Sequence, residues 1–133
     1  MVKIFRALSD KTRIRILNLL SIRELCVCEI ETILDLTQSN ASRHLNRLKD
    51  AKIITDNKKS QWAFYKIDDS FIKKHRLLYQ YLNQKFREVY ECKQDLKKLK
   101  VYMDNRFTCK DIGENKEKVL CCLNNKCGSD DLH

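Results

Sequence analysis

The chain has no proline and only two glycines among its 133 residues, Gly113 and Gly128. Everything before Gly113 therefore lacks the strongest chain breakers, which disfavours a turn-dense β architecture and favours helices. No apolar run approaches the roughly 18 residues that a membrane-spanning helix needs, so no membrane partner is expected. The start, Met1-Val2-Lys3-Ile4-Phe5-Arg6, lacks the apolar centre and small-residue cleavage site of a secretory signal. A cytoplasmic location is therefore expected, and the seven cysteines should be reduced thiols rather than a disulfide framework. Also missing are internal repeats, a glycine-rich phosphate loop, a cysteine followed six residues later by arginine, and any Cys-His-Asp constellation. No enzyme is expected.

Basic charge, by contrast, is abundant. The formal net charge is +9, and from Asp104 onward five basic residues face six acidic ones, so the excess lies in the first 103 residues. A basic body suits a polyanionic partner.

Hydrophobic spacing organises the rest. Ile4, Leu8, Ile14, Leu17 and Leu20 predict a short helix to about Leu8 and a second from Lys11 to Ile22, capped by Ser9 or Asp10. Cys28, Ile30, Ile33 and Leu34 predict a third helix ending near Asp35. Thr37 can cap a fourth, with Ala41, Leu45 and Leu48 inward. Beyond Lys52 the period changes: Ile53 and Ile54, then Trp62, Phe64, Tyr65 and Ile67, favour a β-hairpin turning at Asn57-Lys58-Lys59-Ser60, with Asn57 left-handed. A helix pair followed by a hairpin outlines a winged helix-turn-helix, mainly α with a small β-hairpin. From Asp69 or Ser70 to Met103, an apolar stripe at steps of three or four predicts one long helix of about 50 Å at roughly 1.5 Å per residue. One small domain cannot cover such a stripe, so dimerisation through this long C-terminal helix is expected. Residues 1–103 should form the DNA-binding and dimerisation domain. Residues 104–133 should be a weakly ordered, cysteine-containing tail, with a short helix near Glu114 to Leu123.

Two stretches carry chemistry. In Glu24-Leu25-Cys26-Val27-Cys28-Glu29-Ile30, two thiols stand two residues apart. Ten residues on, Thr37-Gln38-Ser39-Asn40-Ala41-Ser42-Arg43-His44-Leu45 turns from polar to apolar in the manner of a recognition helix. The early residues of such a helix reach base edges in the major groove. Gln38, Ser39, Asn40, Ser42, Arg43, His44 and Arg47 are the candidates: Gln and Asn can pair with adenine, Arg with guanine. His44 can instead pack beneath the helix. Lys58 and Lys59 at the hairpin suit phosphates.

Three segments in register carry a family resemblance: Ala7-Leu8-Ser9-Asp10-Lys11-Thr12-Arg13-Ile14-Arg15-Ile16-Leu17, the Cys26/Cys28 stretch, and Gln38-Ser39-Asn40-Ala41-Ser42-Arg43-His44-Leu45-Asn46-Arg47-Leu48. Over about residues 3–103 the chain resembles the ArsR/SmtB (arsenic-responsive) metal-sensing transcriptional repressors. The resemblance implies a homodimer on a palindromic double-stranded operator, released when a thiophilic ion binds. It makes Cys26 and Cys28 the expected ligands, although Glu31 stands where the family has a third metal-box cysteine. A weaker ligand or another thiol (Cys92, Cys109, Cys121, Cys122 or Cys127) must then complete the set, and Cys92, on the apolar stripe, is expected to pack instead. Soft thiolates and the family point first to As(III) or Sb(III) as inducer. Cadmium, lead or zinc comes second, since the extra cysteines of an N-terminal arm found in cadmium- and lead-sensing relatives are not legible. The family's helical zinc site needs an Asp and two His, and only His75 lies on that stretch. A thiol-redox signal is the remaining alternative. Because residues i and i+2 of a regular helix point about 200° apart, ion capture by Cys26 and Cys28 should require local unwinding, a lever on the recognition helix.

Overall fold

Asp10 and Thr37 each open a helix, as their capping chemistry predicts. In the computed structural model, which describes residues 2–124, α1 (Val2–Leu8) is followed by α2 (Lys11–Leu20), where the Asp10 carboxylate accepts the Arg13 N–H at 3.2 Å. Thr37 Oγ1 accepts the Asn40 N–H, also at 3.2 Å, and starts α4 (Gln38–Asp50). Between them lie β1 (Leu25–Cys26) and α3 (Val27–Leu34), which ends at Asp35 with a left-handed φ of 57°. Asp is among the few side chains that tolerate this conformation. The remaining elements are β2 (Ile54–Lys59), β3 (Trp62–Ile67), α5 (Asp69–Lys74), α6 (Arg76–Phe86), α7 (Tyr90–Asp104) and α8 (Cys109–Leu123).

The three strands form an antiparallel sheet in the order β1-β3-β2, with Leu25 opposite Tyr65 and Cys26 opposite Phe64. The hairpin turns later than expected. Asn57 lies within β2, paired with Phe64, and Lys59 pairs with Trp62, so the loop is Ser60-Gln61. A two-residue loop matches the twist of its strands when a loop residue takes positive φ. Ser60, at 59°, fills that role rather than Asn57.

Ile16, Leu17 and Leu19 of α2, Ile30 and Ile33 of α3, Leu45 and Leu48 of α4, and Ile53 and Ile54 form one buried core with Leu99 and Tyr102 of α7. Its burial is the main force holding the helix-turn-helix together. Arg13 adds polar links: Nε donates to Ala7 O at 2.6 Å, Nη2 to Arg6 O at 3.3 Å, and Nη1 meets His44 Nδ1 at 3.0 Å, joining α1, α2 and α4.

The stretch from Asp69 to Met103 is helical but interrupted. His75 (φ −126°, ψ 47°) separates α5 from α6, and extended Val89 (φ −85°, ψ 123°) precedes α7. A single rod would carry half its stripe past the domain. The interruptions instead let both α6 and α7 pack on α2. Arg15 holds α7 there through two bonds to Asp95, at 2.8 and 2.9 Å, and Asn18 Nδ2 donates to the Cys92 carbonyl at 3.1 Å.

The segment after Asp104 also departs from expectation. Thr108 and Asp111 cap each other to start α8, which packs on α3 and α7 and buries Cys109, Ile112, Val119 and Leu123. Its ladder breaks at Asn115 (φ −153°, ψ 75°), so the helix expected near Glu114 to Leu123 is the second half of a longer, kinked element. No helix among the described residues is long and apolar enough to cross a membrane.

Candidate thiol site and nucleic-acid interface

Cys26 is the last residue of β1 and the N-cap of α3, with extended backbone angles (φ −85°, ψ 167°), whereas Cys28 lies in the first helical turn. The two are thus not i and i+2 of one helix. Their sulfurs converge to 3.0 Å with α3 intact. The expected unwinding is unnecessary, because the chain changes from strand to helix between the two thiols.

A third sulfur arrives from far along the chain. Cys109, the first residue of α8, brings its Sγ into the group, and the sulfurs of Cys26, Cys28 and Cys109 all lie within 4.8 Å of one another. Cys26 and Cys109 form a disulfide here, while Cys28 is a free thiol. Cys26 is 1% and Cys109 4% exposed; Cys28 is half-buried. Burial, with the neighbouring Glu29 and Glu31 carboxylates, pushes the Cys28 thiol up to about 11. At neutral pH it holds its proton.

The site has a polar support that the sequence did not reveal. Glu29, 3% exposed, accepts the Cys26 backbone N–H at 2.9 Å on Oε1 and the Tyr102 hydroxyl on Oε2. Its spacing of three from the N-cap was the available signal, since a Glu at that position can close onto the cap backbone. Burial and the adjacent carboxylate hold the Tyr102 phenol well above the ordinary phenol range, so it remains a donor. Glu31 stays outside the sulfur cluster. It is half-buried, burial raises its carboxyl above the ordinary value against the pull of Lys116, and Oε1 has no hydrogen-bond partner among the described residues.

The other cysteines are elsewhere. Cys92 is fully buried in α7 beside α2, its thiol raised to about 11 by burial. Cys121 and Cys122 are half-buried near the end of α8. Cys127 lies outside the described residues.

On α4, Gln38, Ser39, Asn40, Arg43 and Arg47 are exposed and Ser42 is half-exposed, a polar face opposite buried Ala41, Leu45 and Leu48. Arg43 Nη2 donates to Asn40 Oδ1 at 3.3 Å. His44 is not part of this face. It is 5% exposed and packs beneath the helix against Arg13, which corrects its assignment as a base or phosphate contact. The wing carries exposed Lys58 and Lys59; Lys59 is paired with Glu24 and its ammonium lies 5.4 Å over the Phe64 ring.

An arginine can only donate, so the Arg13 contact requires His44 Nδ1 to be unprotonated. Burial lowers the His44 pKa below its ordinary 6.5; Asp10 opposes this, and the charges of Arg43, Arg13 and Arg47 add to it. Within that lowered window the unfolded chain binds the proton that the folded chain refuses, so stability falls as pH drops below 6.5. Urea unfolding across this range should show that slope, and His44→Gln should flatten it. An unchanged slope in the variant would remove His44 as its origin.

Comparison with known proteins agrees with the helix-turn-helix fold. Residues 10–56 match the family described as bacterial regulatory protein, arsR family. An arsenic resistance transcriptional regulator of Pseudomonas putida is 43% identical over 65 residues, covering 48% of this chain and 51% of that protein. An arsenical resistance operon repressor of Escherichia coli is 40% identical over 67 residues, covering 50% of this chain and 57% of the repressor. The chain thus spans a little over half the length of these two relatives. Among solved structures, HlyU from Vibrio cholerae superposes with a TM-score of 0.52 at 31% identity, covering 60% of this chain and 88% of HlyU. With its capped helix pair, inward recognition-helix stripe and short wing, the chain belongs to the arsR family of bacterial regulatory proteins.

Proposed function

We propose that the protein is a cytoplasmic homodimeric repressor that releases a palindromic DNA operator when As(III) or Sb(III) is captured by Cys26, Cys28 and Cys109. The observation that carries this reading is the convergence of three sulfurs within 4.8 Å at the start of α3, the helix just before the recognition helix. Gln38, Ser39, Asn40, Ser42, Arg43 and Arg47 face the major groove, while Lys58 and Lys59 contact phosphates. Val2 and Phe5 of α1 and Leu77 and Tyr81 of α6 are exposed apolar groups available to a second copy.

Proton balance favours a trivalent metalloid over a divalent cation. Arsenous acid condenses with three thiols to give three As–S bonds and three waters, with no net proton released. Cadmium, lead or zinc would have to expel protons from the thiols. The Cys26–Cys109 disulfide supports a second reading, in which oxidation is itself the signal.

Fluorescence anisotropy of a labelled promoter fragment separates the two. The phosphine-reduced protein should bind the fragment, and arsenite should weaken binding on the order of 5–150-fold, the usual range of coupling between two sites. No effect of arsenite, with release by a thiol oxidant such as diamide, would replace the metalloid reading with the redox one.

A further inference from the structure

Beside the thiols is a cleft of about 210 Å³ whose wall includes Cys109 together with Trp62, Phe64 and Phe107, with Arg23 and Lys110 also lining it. Trp62 and Phe64 alternate along β3 and so project from the same face of the sheet. Phe64 lies directly across the ladder from Cys26, which places its ring beside that residue's side chain. Phe107, in the turn before α8, rests against Tyr102 with ring centroids 5.8 Å apart. All three cleft rings are half-buried rather than taken into the core. Three rings and Cys109 thus share one cleft, whose lining Glu29 and Thr108 complete, and the cleft is smaller than the roughly 300 Å³ at which drug-sized pockets begin.

We propose that this cleft is a subsite for the organic group of a mono-substituted trivalent arsenical, R–As(OH)2, with R a phenyl ring or a group of similar size. The inference rests on the metalloid reading above. Two As–O bonds break and two As–S bonds form, to Cys109 and to Cys26 or Cys28, releasing two waters. Arsenic stays trivalent and the As–C bond is kept. The third position on arsenic is then carbon, not sulfur. Bonding to Cys109, which lines the cleft, sets that carbon at the edge of the aromatic wall. Inorganic arsenite has nothing to place there.

The test compares phenylarsine oxide, which hydrates to phenylarsonous acid, with sodium arsenite on the full chain reduced with a phosphine. DNA release is read by anisotropy. Phenylarsonous acid should release DNA at a concentration about tenfold lower, the scale of one good aromatic contact. Trp62→Ala and, separately, Phe107→Leu should remove most of that preference while leaving the arsenite midpoint unchanged. Trp62 is the chain's sole tryptophan, so its emission should respond to the phenyl compound more than to arsenite. A preference that survives in both variants, or equal midpoints in the unaltered protein, overturns the subsite and leaves the metalloid reading standing. Release by neither compound overturns both.

Discussion

Cys109→Ser should leave operator binding intact and abolish its response to arsenite. Serine at this position keeps the start of α8, because the cap is made by Thr108 and Asp111 rather than by the cysteine. What it removes is one of the three soft donors. The remaining pair can hold arsenite only with a water or hydroxide in the third position, and the tie between α8 and α3 is gone. A weakening of DNA binding on the order of 5–150-fold in the unaltered protein should fall to none in the variant. Cys122→Ser, near the other end of α8, should retain the full response. Anisotropy titrations with and without arsenite, alongside helical circular dichroism, make the measurement. A normal response in Cys109→Ser would return the third ligand to another group.

The second large effect is on stability. Asp95 is buried, 2% exposed at its side chain, and both its carboxylate oxygens bond to Arg15, whose side chain is 21% exposed. Arg15→Leu would leave a buried carboxylate with neither its counter-ion nor its donors. Breaking a buried pair from one side typically costs about 3–5 kcal/mol, a large part of the roughly 5–15 kcal/mol that holds a domain folded. Replacing both residues with leucine should recover most of the loss, because no charge is then stranded. Urea unfolding of the single and double variants tests this. A cost below about 1 kcal/mol for Arg15→Leu would mean the pair behaves like an exposed one.

The helix-turn-helix was legible because local signals agreed with one another: caps at Asp10 and Thr37, the inward series Ala41, Leu45 and Leu48, and the change of period after Lys52. The Cys26/Cys28 pair was legible as a motif, but its geometry was not. Spacing alone treats the two as residues of one helix, and only the pairing of Leu25 and Cys26 with Tyr65 and Phe64 shows that the helix begins between them. The fate of the long stripe depended on where its second half packs. Apolar periodicity continues across His75 and Val89, so nothing local announced the breaks. Cys109 was named only as one of several thiols, since 83 residues separate it from Cys26 and its place depends on α8 docking on α3. That docking had a signal in Cys109, Ile112, Val119 and Leu123, hidden by the kink at Asn115.

Cys26 belongs to two structures at once. Its backbone is zipped to the wing strand at Phe64, and it is also the hinge from which α3 springs toward the reading helix. Tension on this one sulfur therefore reaches both α3, which leads into α4, and the β2-β3 hairpin through separate, short routes. A pull too slight to disorder either element would still change how the two are set against each other.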